Sequence, residues 1–169
     1  MGIKTEGDLF EEIAERSLND GVGQVGYWLC HAKCESPIER VMFVALYASF
    51  RFNNSWPFQA YRAGFEWLES AIPIGHIGLF PQAVIENYRV DFLLTYRAPD
   101  AKAIASVIEC DGHDFHERTK EQAARDRSRD RALQSLGLPV YRFTGSEIWA
   151  DPAKCASDAK LAFVTRCAE

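Results

Sequence analysis

Residues 104–116 read IASVIECDGHDFH, an apolar run that ends abruptly in acidic residues and two histidines. The apolar part is typical of a strand buried inside a sheet, where polar side chains are rare. Glu109 and Asp111 stand at its end, and buried carboxylates are costly unless a metal, a cation or hydrogen bonds satisfy them. The stretch therefore predicts a central strand with a candidate active site at its end.

The neighbouring segments predict an α/β fold with a central four-stranded mixed sheet flanked by helices. A serine cap at Ser36, a proline at Pro37 and a glutamate at Glu39 predict a helix start, with the helix running to about residue 52. A helix between the third and fourth strands implies that those two strands are parallel. The expected strands cover residues 84–85, 88–96, 103–111 and 138–143, with a turn at Glu86-Asn87 between the first two. The other expected elements are helices at 8–18, 61–70, 119–136, 146–149 and 153–164, and a glycine-rich loop at 19–26. The helix at 119–136 is expected to begin with a cap at Thr119 and to end at Gly137.

Length and composition are those of one globular domain, with 47% hydrophobic and 25% charged residues among 169. We expect a cytoplasmic protein without a membrane partner, because neither a membrane-length apolar stretch nor a signal-peptide pattern is present. The five cysteines are odd in number and irregularly spaced, which favours reduced thiols. Cys30 and Cys34 could form half of a zinc site, but no second ligand pair stands at a suitable spacing.

Three carboxylates are expected to converge at one end of the sheet. Glu109 and Asp111 are two residues apart on a strand, so their side chains leave the same face. Asp91 lies on the preceding strand, which we expect to pair beside it. Like charges at such a distance need compensation, and a hard divalent ion with oxygen ligands supplies it. The pattern therefore predicts a site for Mg²⁺ or Mn²⁺ held by Asp91, Glu109 and Asp111.

The charge is −5 overall, but residues 117–131 hold six bases against four acids. Exposed arginines on the predicted helix there could contact phosphates, or form a solvated face laced with ion pairs. The candidates for nucleic-acid binding are Arg125, Arg127 and Arg131. Three further residues are expected to form an ion-pair network beside the site: Asp126, Arg129 and Asp130. The aromatic residues between 56 and 67 are interpreted as core rather than as a base-stacking platform.

Taken in order, these motifs resemble the PD-(D/E)XK nuclease superfamily. The nearer resemblance is to an uncharacterised family similar to very-short-patch repair endonucleases, with a Glu-x-Asp-Gly strand end and a helix that carries Asp-x-x-Arg-Asp-x-x-Leu-x-x-x-Gly. The chain has these motifs at 109–112 and 126–137, followed by Arg142-Phe143. The resemblance covers about residues 36–149 and implies a restriction-endonuclease-like core there, with helical additions at both ends of a single domain.

The resemblance also implies roles for individual residues. Asp91 would bridge to the metal, Glu109 would be the second ligand, and Glu39 would hold metal-bound water; the capping box alone also explains Glu39. The superfamily has a lysine where this chain has Asp111. The resemblance then favours Lys120 as the group that activates water. His113 and His116 are the alternatives, because neutral imidazole accepts a proton near pH 7.

These observations predict a metal-dependent endonuclease that hydrolyses DNA phosphodiester bonds. A homodimer would suit cleavage of both strands of a duplex. The first alternative is a catalytically inactive nuclease-like module that binds DNA or a protein, because the motif lysine is missing. The second is a metal hydrolase that acts on a smaller phosphoester.

Overall fold

The computed structural model describes residues 21–52, 56–64, 72–100, 102–112 and 120–168. The helices are α1 (Gly21–Ala32), α2 (Pro37–Phe52), α3 (Lys120–Ser135), α4 (Gly145–Ala150) and α5 (Pro152–Cys167). The strands are β1 (Phe58–Ala60), β2 (Ile77–Ile85), β3 (Tyr88–Arg97), β4 (Ala103–Asp111) and β5 (Val140–Thr144). None of the helices in these ranges is long and apolar enough to cross a membrane.

The strands form one mixed sheet in the order β1-β2-β3-β4-β5. The β2, β3 and β4 strands pair antiparallel, whereas β1 runs parallel to β2 and β5 runs parallel to β4. The predicted α/β fold, the parallel pairing across α3 and the turn at Glu86-Asn87 are confirmed. The prediction of four strands is wrong by one, because β1 was not foreseen, and β2 begins at Ile77 rather than near residue 84.

Two cores cover the two faces of the sheet. The α2-side core joins one face to α1, α2, α4 and α5, and includes Phe43, Phe92 and Phe163. The α3-side core on the other face is smaller, and Leu133 is the α3 residue that enters it. The end of β4 is therefore flanked by α2 on one side and by α3 on the other.

Local signals at the helix ends are confirmed where the structure describes them. Ser36 Oγ accepts the backbone N–H of Glu39 at 3.3 Å and donates to its carboxylate at 2.7 Å, so α2 begins with the expected serine cap, and the Glu39 carboxylate reaches back to the Glu35 N–H. Gly137 follows α3 with a positive φ of 76°, and the Leu138 N–H donates to the Leu133 carbonyl at 3.0 Å. The closing helices α4 and α5 lie where the sequence predicts them.

Two local expectations are wrong. The glycine-rich stretch from residue 21 onward is helical rather than a loop, because α1 packs Leu29 and Ala32 into the α2-side core. Residues 61–64 are not helical: the Tyr61 N–H donates to the Leu79 carbonyl at 2.9 Å and prolongs the contact of β1 with β2. The expected helix at 8–18, the rest of the 61–70 helix and the cap at Thr119 lie outside the described residues.

The aromatic residues after α2 belong to the core where they are described. Trp56 stacks on Tyr96, with ring centroids 4.8 Å apart, and Phe58 stacks on Phe50 at 5.6 Å. Tyr61 stacks on a buried phenylalanine of β2 at 4.2 Å. This confirms the interpretation of these three rings as core; two other members of the predicted cluster, Phe65 and Trp67, lie outside the described residues.

The alternation of side chains breaks once in β2 and once in β3. Phe80 and Ala83, three residues apart, both pack in the α3-side core, and so do Val90 and Leu93 on the paired strand. The registers Pro81↔Phe92 and Ala83↔Val90 place Gln82 opposite Asp91 between them. Gln82 has a φ of +48°, which residues other than glycine rarely adopt. The break therefore falls at Gln82 and Asp91, and Asp91 contacts the end of β4 through the Cys110 N–H.

Candidate active site

The acidic end of β4 is buried. Glu109 and Asp111 are 6% and 5% exposed, and both lie on the face that α3 covers. Arg142 lies opposite Glu109 in the parallel register of β4 with β5. A strand end of this kind is unusual for a core element, because buried charges are kept only where they are paired or bind a ligand.

Two arginines partner these carboxylates. Arg129 of α3 donates from Nη2 to Oε1 of Glu109. Arg142 donates from Nη1 to Oδ1 of Asp111 at 3.0 Å, and from Nη2 and Nε to the two oxygens of Asp130 at 2.7 and 3.3 Å. Arg142 thus bridges a carboxylate of the strand end to one of α3, in the two-pronged geometry that suits a guanidinium. Asp126 lies half-buried one turn before Asp130.

Asp91 joins this group from β3. Its Oδ2 accepts the backbone N–H of Cys110, the residue between Glu109 and Asp111, at 2.8 Å. Burial raises the pKa of Asp91 to about 6, even though the Cys110 hydrogen bond lowers it. Burial, followed by the charge of Asp91, raises the pKa of Glu109 to about 8 despite Arg129 and Arg142. The charge of Asp91 thus opposes the ionisation of Glu109, and the charges of Glu39 and Asp111 oppose that of Asp91, as expected where like charges share a site.

Glu39 reaches the same region from α2 and is 7% exposed. Its Oε1 accepts the hydroxyl of Ser36 at 2.7 Å, and its Oε2 accepts the backbone N–H of Glu35 at 2.8 Å. A third donor comes from the sheet: Gln82 Nε2 lies 2.9 Å from Oε2. The negative charge of Glu39 also contributes to the raised pKa of Asp91. Glu39 is thus both a capping residue and a neighbour of the strand-end carboxylates.

Gln82 is the site residue that sequence reasoning missed. It is 5% exposed, stands in the middle of β2 and has the positive φ described above. Glycine or asparagine would have marked such a backbone position in the sequence, but glutamine carries no such signal. A residue with an unusual backbone conformation, whose side chain donates to a buried acid, is an indication of function.

The remaining predicted residues fall in two groups. His113 and His116 lie outside the described residues, and Lys120 is the first residue of α3, with its side chain outside the description. Arg125, Arg127 and Arg131 are exposed on α3. The structure therefore leaves the water-activating group and the nucleic-acid contacts as predictions.

The donor set around β4 suits a hard cation in its chemistry. Asp91, Glu109 and Glu39 offer carboxylate oxygens alone, the ligand type that Mg²⁺ and Mn²⁺ prefer. Within the described part of the chain, no three Asp, Glu, His or Cys side chains are gathered closely enough to form a finished metal cage. Burial and neighbouring acids nevertheless raise the pKa values of Asp91 and Glu109, as expected for carboxylates that a bound cation would stabilise in their charged form.

The mixed sheet, the flanking helices and the acidic strand end define a restriction-endonuclease-like fold. The chain belongs to the family REase_MTES_1575, a restriction endonuclease-like family whose model matches residues 75–161, just over half of the chain. No curated protein and no solved structure matches it. The matched region contains Asp91, Glu109 and Asp111, but not Glu39, and family membership indicates a nuclease-like function.

Proposed function

We propose that the protein is an Mg²⁺- or Mn²⁺-dependent endonuclease that hydrolyses phosphodiester bonds in DNA. The observation that carries this proposal is the pair Asp91 and Glu109, two carboxylates on neighbouring strands that meet at the end of β4, where burial raises the pKa of both. The family match supports the nuclease part of the proposal. The oxygen-only donor set supports the choice of metal.

Asp91 and Glu109 would hold the metal, with the backbone carbonyl of Cys110 beside them. Asp111 is the third candidate ligand, although its ion pair with Arg142 already compensates its charge. Glu39 would bind metal-coordinated water from the α2 side. The bound cation would supply charge neutralisation of the phosphate and a lowered pKa for the attacking water.

The chain's own residues orient this group. Arg129 fixes one oxygen of Glu109, and the Cys110 N–H fixes one oxygen of Asp91. Among the described contacts, the second oxygen of each carboxylate is left for a cation. The group that takes the proton from water is proposed to be Lys120, with His113 and His116 as alternatives.

DNA is the proposed partner because the exposed face of α3 is rich in arginine. Arg125 lies one helical turn before Arg129, on the same side of α3, because residues four apart are neighbours on a helix. Arg127 and Arg131 lie on a different side from Arg129. Of the three, Arg125 is therefore the one we expect nearest to a phosphate at the site.

A catalytically silent DNA- or protein-binding module is the second candidate. The arginine partners of Glu109 and Asp111 favour it, because fixed guanidinium groups already compensate the charge that a metal would otherwise neutralise. Asp111, at the superfamily's lysine position, favours it as well.

Cleavage of supercoiled plasmid with Mg²⁺ or Mn²⁺ distinguishes the two functions. The nuclease proposal predicts metal-dependent nicking that Asp91→Asn reduces by about 10²–10³-fold, in line with the loss of a charge-stabilising group. Asp100→Asn is the matched control, because Asp100 is an exposed residue of the turn before β4, and its Oδ1 accepts only the nearby Lys102 N–H among the described contacts. Purified protein that binds DNA but never nicks it would favour the silent module.

A further inference from the structure

Gln82 makes the contact that joins the sheet to the Glu39 carboxylate. The other two described donors to Glu39, the Ser36 hydroxyl and the Glu35 N–H, come from the start of α2 itself. Any capping box on an exposed helix has such local donors, as Thr144 and Glu147 show at the start of α4. The Gln82 amide, by contrast, comes from a residue 43 positions away in the sequence.

The backbone of β2 is distorted in a way that makes this contact possible. Regular alternation would direct Gln82 to the same face as Phe80, into the α3-side core. The positive φ at Gln82 interrupts that alternation, and the side chain meets Glu39 of α2 on the opposite side of the sheet. Asp91 lies opposite Gln82 in the register, and the alternation of side chains in β3 is interrupted at this position as well.

The choice of an amide has a chemical reason. A neutral donor orients a carboxylate without cancelling its charge, whereas lysine or arginine at this place would neutralise Glu39. Glu109 and Asp111 are held by guanidinium groups, but the described donors to Glu39 and Asp91 are all neutral. The charge on the α2 side of the site is thus fixed in position and left available.

We infer that Gln82 is a positioning residue, which holds the Glu39 carboxylate towards Asp91 so that both face one divalent cation. This inference rests on the proposed function and deepens it, since it names a residue that tunes the proposed metal site. Partners that orient metal ligands in this way typically change metal affinity or activity by about 10–100-fold when they are removed.

The test is Mn²⁺ binding, measured by calorimetry on the full chain, together with plasmid cleavage and thermal unfolding. Gln82→Met keeps the length of the side chain and removes the donor, and we expect Mn²⁺ binding at least about tenfold weaker. Gln82→Gly also removes the donor but suits the positive φ, so it keeps the test open if the methionine variant folds poorly. Gln59→Met, an exposed glutamine on β1, is the matched control and should bind Mn²⁺ like the wild type.

The outcomes separate this inference from the proposed function. Wild-type protein that binds Mn²⁺, with weaker binding in both Gln82 variants and unchanged binding in Gln59→Met, supports the inference even if no cleavage is seen. Equal Mn²⁺ affinity in the wild type and in either folded Gln82 variant overturns the inference alone. Wild-type protein that neither binds Mn²⁺ nor cleaves DNA overturns both.

Discussion

The two sides of the acidic site are held by different kinds of donor. On the α2 side, Glu39 and Asp91 accept hydrogen bonds from a hydroxyl, an amide side chain and backbone N–H groups. On the α3 side, Glu109 and Asp111 are paired with Arg129 and Arg142. Neutral donors orient a carboxylate and leave its charge, whereas arginines orient it and compensate the charge.

We propose that this difference gives the acids of one cluster two different roles. The arginine-paired side can stabilise the packing of α3 against β4 and β5 without any ligand. The side held by neutral donors would gain most from a bound cation. Glu109 stands between them, since it contacts Arg129 and its pKa is also raised by Asp91.

The largest expected effect on stability follows from breaking the arginine-held side. Arg142→Met leaves Asp111, whose side chain is 7% exposed, without this partner, and removes the bridge to Asp130. Removing one partner of a buried pair is strongly destabilising, and we expect a loss of about 3 kcal/mol in the free energy of unfolding. Urea denaturation measures it.

The exposed pair of Arg89 with Glu35, 2.8 Å apart, is the matched control. Both side chains are more than half exposed, so Arg89→Met should cost less than about 1 kcal/mol. Equal losses in the free energy of unfolding for Arg142→Met and Arg89→Met would show that the Arg142 ion pairs are no more buried in solution than an exposed pair.

A smaller effect is expected from pH in the absence of metal. The pKa of Glu109 is raised from 4.5 to about 8, so the folded protein keeps a proton that the unfolded chain releases. The free energy of unfolding therefore falls as the pH rises from 4.5 to 8, because the unfolded chain can release the proton of Glu109 and the folded protein cannot. Glu109→Gln removes this loss and should gain about 1–3 kcal/mol on the wild type between pH 5 and pH 8.

Urea titrations at the two pH values, with a chelator present, check this gain. Glu147→Gln is the control, because hydrogen bonds from Thr144 lower the pKa of that exposed carboxyl. Its titration lies below the tested range, so its stability should run parallel to that of the wild type. If the free energy of unfolding of Glu109→Gln changes with pH in parallel with that of the wild type, the raised pKa of Glu109 is refuted.

The smallest effect concerns DNA affinity. Arg125→Ala should weaken binding of a short duplex about fivefold at low salt, because Arg125 shares a side of α3 with Arg129, and a lost phosphate contact lowers affinity regardless of sequence. Arg127→Ala should stay within about twofold. Fluorescence polarisation compares them, and the reverse order would place the DNA on another side of α3.

Local rules predicted the parts of the fold that local chemistry determines. The cap at Ser36, the turn at Glu86-Asn87 and the end of α3 at Gly137 all depend on a few adjacent residues, and all are confirmed. The three residues of β1 depend on parallel pairing with a distant strand, which leaves little trace in the sequence. The helix α1 forms against the glycine preference because its last turns pack into the core.

The sequence predicted the acidic residues that the structure brings together at the end of β4, but not which of them would be paired with arginine. Acidic residues at a strand end could be recognised from the pattern around Glu109. The pairing of Arg142 with Asp111 depends on the register of β5 with β4, and this register cannot be read from the sequence. Gln82 was missed because its proposed role depends on a positive φ, and a glutamine in the sequence does not indicate such a backbone conformation.

The decisive measurement is Mn²⁺ binding to Asp91→Asn and Asp111→Asn, because we propose that Asp91, which neutral donors hold, is a metal ligand, whereas the charge of Asp111 is compensated by Arg142. Electron paramagnetic resonance of free Mn²⁺ measures binding without requiring activity. We expect Asp91→Asn to lose detectable binding, and Asp111→Asn, in which the position paired with Arg142 loses its charge, to stay within about tenfold of the wild type. Wild-type affinity in Asp91→Asn, with binding lost in Asp111→Asn, would contradict it.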